Sequence, residues 1–225
     1  MKYILFITLT MFGYIEFANA YSMQEDKKDC DRGIMRGCSN VGYLYQKGKG
    51  VKKDNTKSIK YYTKACGGGY AIGCSNLGLV YRDGLGTKVN YKKAKKLFDK
   101  GCKGKDGFGC NNVGVAYYQG HGIQKDYKKA VSYYGKACDM GYAMGCRNAG
   151  LMCLKGSNIK KDYKKARKML LKACDKNDGK GCFYLGAMYL EGRGGVHADS
   201  IKAKKYLKKA CKYGESRACS YLKGH

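Results

Sequence analysis

The chain has 225 residues, with 45 Lys plus Arg against 17 Asp plus Glu, 13 Cys, 33 Gly and neither Pro nor Trp. A net charge of +28 at 44% hydrophobic content is too apolar for a solvated polybasic tail, and the lack of Pro excludes Pro-rich linkers and collagen. Thirteen Cys point to metal in a cytosolic enzyme and to disulfides in an exported protein.

The first predicted element, over residues 1–20, settles how the cysteines read. Lys2 is followed by an apolar run from Ile4 to Tyr14, and Ala18-Asn19-Ala20 is the small-x-small pattern after which a signal peptidase cuts. The run is too short for a membrane span, which needs about 20 apolar residues. Residue 21 is Tyr, so a lipid-anchored precursor is not expected. The expected mature chain is residues 21–225, secreted or periplasmic, with no transmembrane segment after cleavage. All 13 Cys lie in it.

From Cys30 onward the chain repeats itself. Twelve cysteines fall at Cys30 and Cys38, Cys66 and Cys74, Cys102 and Cys110, Cys138 and Cys146, Cys174 and Cys182, Cys211 and Cys219. Members of a pair are eight residues apart, and pairs start 36 apart with one step of 37. The extra residue lies in the loop between Gly192 and Ala198. Gly42, Gly78, Gly114, Gly150 and Gly186 keep the same beat. So do Tyr45, Tyr81, Tyr117 and Tyr189, with Cys153 in the fourth Tyr slot. A fixed period of this length marks a repeat architecture.

Each unit reads as two helices. Within it, Cys74 to Tyr81 predicts a helix stopped by Gly84 and Gly86. Its interior Gly78 costs about 1 kcal/mol against Ala. That cost, repeated in every unit, predicts close helix–helix approach. The segment Asp126 to Cys138 places Tyr127, Ala130, Val131, Tyr134 and Ala137 on one helical face. Asp54, Asn90, Asp126, Asp162 and Asp199 precede the equivalent runs and are expected to cap their free N–H groups.

Eight residues along one helix separate Cα atoms by about 12 Å, whereas a disulfide needs less than about 7 Å. The chain must therefore reverse within each pair. Gly67-Gly68-Gly69, Gly104 with Gly107, Gly141 and Gly179 permit it. Zinc is the competing reading, but zinc sites prefer Cys pairs two to four apart, often with His. His121, His197 and His225 lie in loops or at the tail. Six disulfides are expected, and no metal or cofactor. Cys153, in a core Tyr slot, is expected to be a buried thiol, with an intermolecular bridge as the other reading.

The unit Leu77-Gly-Leu-Val-Tyr-Arg-Asp-Gly84, followed by the Asp/Asn cap, Lys-Lys-Ala, Tyr-Tyr and Ala-Cys, resembles the Sel1-like repeat, a relative of the tetratricopeptide repeat. With a Cys pair in every unit and a leader, the chain is similar to the Helicobacter cysteine-rich proteins, over residues 24 to 223. The resemblance implies an all-α, right-handed superhelical solenoid with a concave groove and involvement with host cells. It also implies a penicillin-binding or β-lactamase activity.

These residues give that activity little to stand on. A serine β-lactamase needs Ser-x-x-Lys with Ser-Asp-Asn and Lys-Thr-Gly. Ser157 with Lys160 and Ser220 with Lys223 fit the first pattern, and the other two motifs are absent. Hydrolysis of β-lactams remains the alternative to a binding role, with no catalytic residue to name.

A solenoid offers an extended face lined by one helix of each pair. Asn40, Asn76, Asn112 and Asn148 recur two positions after the second Cys, followed by Tyr184 and Tyr221. Two readings stand. The Asn row is a structural ladder bonded to backbone of the neighbouring repeat, or it holds the backbone of an extended peptide. Arg36, Arg147, Lys180 and Arg217 near the same face suit an acidic side chain or a C-terminal carboxylate. The lysines at 52–64, 92–100 and 164–172 fall on the other helix and its approach loop. They form a solvated outer face, or one drawn to anionic envelopes and host surfaces. An exported chain is not expected to meet nucleic acid.

Overall fold

In the computed structural model the described residues are 23–156, 158–193 and 196–224. The predicted leader, Ser157, part of the Gly192–Ala198 loop and His225 lie outside them. The described residues form helices and turns only. The helices are α1 (23–31), α2 (Met35–Lys47), α3 (Asn55–Gly67), α4 (Ala71–Asp83), α5 (Tyr91–Lys103) and α6 (Gly107–Gln119). Then follow α7 (Tyr127–Asp139), α8 (Ala143–Lys155), α9 (Tyr163–Asp175), α10 (Gly179–Leu190), α11 (Ser200–Lys212) and α12 (Ser216–Lys223). No helix among the described residues is long and apolar enough to cross a membrane. The chain divides into two compact units, one ending at Gly104 and one starting at Lys105.

The odd-numbered helices from α3 begin where the short acceptors stand. The side chains of Asp54, Asn90, Asp126, Asp162 and Asp199 each accept the backbone N–H three residues on, at 2.8–2.9 Å. Each thereby satisfies a donor that the first turn leaves free. At α3, α7 and α11 the same aspartate also pairs with the ammonium of that residue, Lys57, Lys129 or Lys202. The even-numbered helices α4, α6 and α8 stop at Gly84, Gly120 and Gly156, each left-handed with φ of 68°, 78° and 68°.

Within each repeat the helix glycine is where the partner helix comes closest. A Cβ at Gly42 would sit 2.7 Å from the Tyr62 ring, and one at Gly78 2.8 Å from the Phe98 ring. In the second unit, Gly114 faces Tyr134 at 2.7 Å, Gly150 faces Leu170 at 2.8 Å and Gly186 faces Leu207 at 3.0 Å. The large side chain is buried every time, so the glycine's missing methyl is the space it fills.

The disulfides tie one repeat to the next. Cys66 near the end of α3 joins Cys74 in the first turn of α4, with Cα atoms 4.4 Å apart. Cys30–Cys38, Cys138–Cys146, Cys174–Cys182 and Cys211–Cys219 do the same at 4.4–4.8 Å. Cys102 and Cys110 are disulfide-bonded too. Gly69 and Gly141 supply the left-handed residue of their reversals. Between α9 and α10 that residue is Asn177 at φ 63°, and Gly179, expected to permit the turn, instead opens α10. Its hydrogens face the Tyr213 carbonyl, which a Cβ would meet at 2.6 Å.

Candidate binding groove

Six positions of the sequence reading can be placed on the even-numbered helices. In the first unit, Asn40 is exposed and donates through Nδ2 to Asp26 Oδ1 at 2.8 Å. Asn76 reaches back one repeat to Ser39 Oγ at 3.5 Å. In the second unit, Asn148 donates to Asn111 Oδ1 at 2.9 Å. Asn112 is buried and donates to its own helix, to the Phe108 carbonyl at 2.9 Å. The Asn row thus contains rungs between repeats, but they run side chain to side chain rather than to backbone as the ladder reading expected. The reason is register: the acceptors Ser39 and Asn111 sit one residue before the Asn position of the previous repeat, where short polar side chains are buried.

The ladder uses the amide nitrogen of Asn148 and leaves its Oδ1 as an acceptor. That side chain lines a cavity of about 290 Å³ across α6 and α8, floored by Val115, Leu151 and the Tyr134 ring. Burial pushes the Tyr134 hydroxyl well above the ordinary phenol range, so it stays a neutral donor. A second cavity of about 540 Å³ continues from Leu151 to Arg147, Lys180, Tyr184 and Arg217. Both lie wholly in the second unit.

The basic residues of this face are unequal. Arg147 Nη1 is held by Asp178 Oδ2 at 2.7 Å, a largely buried pair in which Asp178 also caps α10. Arg217 is held by Glu215 at 2.6 Å and lies over the Phe183 ring at 4.3 Å. Its guanidinium holds the Glu215 carboxyl below the usual range. Lys180 and, in the first unit, Arg36 are exposed. Lys180 makes no salt bridge among the described residues, but it lies near Glu215 on the same cavity wall and helps hold that carboxyl down.

The Tyr slot of the 36-residue beat carries a second repeated feature. Tyr45, Tyr117 and Tyr189 stack on Tyr61, Tyr133 and Tyr206, with Lys57, Lys129 and Lys202 over the first ring at 5.3–5.8 Å. In the fourth slot Cys153 replaces the ring and Met169 stands where Tyr133 does. Cys153 is the free cysteine among the described residues, 2% exposed, with its thiol pushed up by burial. No group of His, Cys, Asp and Glu able to hold a metal occurs among the described residues.

Helix pairs recurring on a 36-residue beat, with disulfides between successive pairs within each unit, define a repeat protein of the tetratricopeptide-related class. The chain belongs to the Sel1 repeat family, whose model matches residues 36–70, 71–106, 107–142, 143–178 and 179–214. A Sel1 repeat protein from Oxalobacter formigenes is 27% identical, with a TM-score of 0.76 over 93% of this chain and 87% of that one. A protective antigen of uropathogenic Escherichia coli strains, displaying an SLR fold, is 26% identical with a TM-score of 0.79. That match covers 87% of this chain, which spans 42% of the antigen's length. Cysteine rich protein B of Helicobacter pylori is 34% identical over 58% of this chain and 93% of its own, with a TM-score of 0.48. No curated protein matches the chain as a relative.

Proposed function

We propose that this chain is an exported protein-interaction module whose groove across α6, α8 and α10 holds an extended peptide segment. The observation that carries the reading is the pair of cavities meeting at Leu151. An apolar floor, one oriented amide acceptor at Asn148 and the exposed cation Lys180 are a short run of features suited to backbone and to an acidic side chain or terminus. The disulfides suit an oxidising compartment, and the signal-like residues 1–20 supply a route to a periplasm or beyond. A host-facing role accords with the relative that is a protective antigen of uropathogenic strains.

The β-lactamase alternative has one Ser–Lys pair among the described residues. Ser220 and Lys223 are both exposed in the last turns of α12, and Ser220 lines neither cavity. Selection of random displayed peptides on the oxidised chain tests the binding role. Peptides that bind the chain and lose binding to Leu151→Glu support it. Failure to select any peptide, with nitrocefin turned over by the same preparation, replaces it with the enzyme.

A further inference from the structure

Arg167 shares its register position with the exposed Lys204 of α11 but is itself partly buried. Its register positions in α3 and α7 are Ile59 and Val131, which pack inward. In α5 the position is Lys95, whose ammonium is compensated by Asp99 one turn on, at 2.8 Å. In α9 the residue at the position of Asp99 is Leu171. Arg167 therefore lacks the carboxylate that Lys95 has. Its Nε is shielded from solvent with no hydrogen-bond partner among the described residues, a costly arrangement for a charged donor.

Arg167 lines the largest of the three cavities described, about 600 Å³, formed between α9 and α10. Lys164, Lys165 and Lys168 join Arg167 on its wall. Asp162 is the one carboxylate there, and it already caps α9. Lys165 has also lost the ring that Lys57, Lys129 and Lys202 cover, because its slot holds Cys153. The floor is apolar: Met169, Leu171, Leu185 and Tyr189. The volume falls in the ordinary range of small-molecule sites.

We propose that this cavity binds an amphiphilic phosphate, a single acyl or alkyl chain ending in a phosphate group. Four cations against one engaged carboxylate call for a ligand head carrying more than one negative charge. Arg167 offers the fork that a phosphate takes. The apolar floor takes the chain, which inorganic phosphate lacks. The site shares α10 with the peptide groove but none of its lining residues.

Dodecyl phosphate below its micellar concentration is the probe, titrated calorimetrically into the oxidised chain. The expected result is one bound molecule per chain, with dodecyl maltoside and inorganic phosphate each weaker by about tenfold or more. Arg167→Val copies the α7 repeat and Leu171→Asp restores the carboxylate of the α5 repeat, so both keep the fold. Each lowers the affinity by about tenfold, the loss of one charge-assisted bond. Lys96→Ala, on α5, leaves it within about twofold, since it removes an exposed charge that salt and water already screen. Equal binding of all three probes overturns the proposal. So does wild-type affinity in Arg167→Val, or an equal loss in Lys96→Ala, which reduces the effect to general surface charge.

Discussion

Two alanine substitutions in one repeat are expected to move stability in opposite directions. Gly114 and Gly135 both lie inside helices, α6 and α7, where exchanging Gly for Ala ordinarily gains about 1 kcal/mol. At Gly135 nothing stands within 4 Å of the new Cβ, so the full gain is expected. At Gly114 the Cβ would sit 2.7 Å from two atoms of the Tyr134 ring and 3.2 Å from the Ala130 carbonyl. The ring is 4% exposed and Ala130 is buried on its own helix, so neither has room to withdraw. Overpacking of this kind costs about 1–3 kcal/mol. Set against the helix gain, Gly114→Ala loses about 1 kcal/mol net, leaving the two variants about 2 kcal/mol apart. Urea unfolding of the oxidised proteins, followed by far-ultraviolet circular dichroism, reads the difference. If Gly114→Ala is as stable as the parent, the repeated glycine does not set the helix spacing, and the packing argument fails.

Replacing Cys138 and Cys146 together by Ser opens one loop of about eight residues and is expected to cost about 2.5 kcal/mol by loop entropy, read as a lower urea midpoint. Titration of thiols with Ellman's reagent should find one per chain in guanidinium and essentially none in the native oxidised protein at neutral pH. Burial both hides Cys153 and holds its thiol protonated. A fast-reacting native thiol would contradict its placement. The Glu215 carboxyl is held below its ordinary value chiefly by the Arg217 hydrogen bond. Its contribution is therefore present above the unfolded value and is lost as pH falls through the lower folded one. Amide exchange in α12 should rise in that acid range, and Glu215→Gln should abolish the pH dependence while raising exchange at neutral pH.

The helical pairs were legible because local chemistry recurs in register. Asp54, Asn90, Asp126, Asp162 and Asp199 were read as caps from position alone, and each accepts the N–H three residues on. The Cys pairs were legible for a different reason: eight residues cannot be bridged without a reversal, so spacing dictated topology. The polar side-chain contacts of Asn76, Arg147 and Asn148 between repeats were not legible, since they join residues more than 30 apart. Arg147 was read as suited to an acidic ligand group, yet Asp178 of this chain holds it. The Asn positions looked equivalent, yet Asn112 bonds within α6 while Asn148 reaches back to Asn111. Asp106 and Asp178 cap α6 and α10, whereas α2, α4 and α8 begin with no side-chain cap, so those starts carried no common signal. The cavity at Arg167 could have been found by comparing register positions, because Leu171 occupies the place of Asp99.

An extended peptide in the α6–α8–α10 groove would reach the Asn148 amide and the Leu151 floor together. The most direct measurement is a nitrogen–proton correlation spectrum of the oxidised chain, titrated with a peptide selected on it. Shifts are expected to gather at the Asn148 side-chain amide and the backbone of Leu151 and Lys180, and to vanish in Leu151→Glu. Shifts centred on the lysine-rich odd-numbered helices, with Asn148 unmoved, would contradict it.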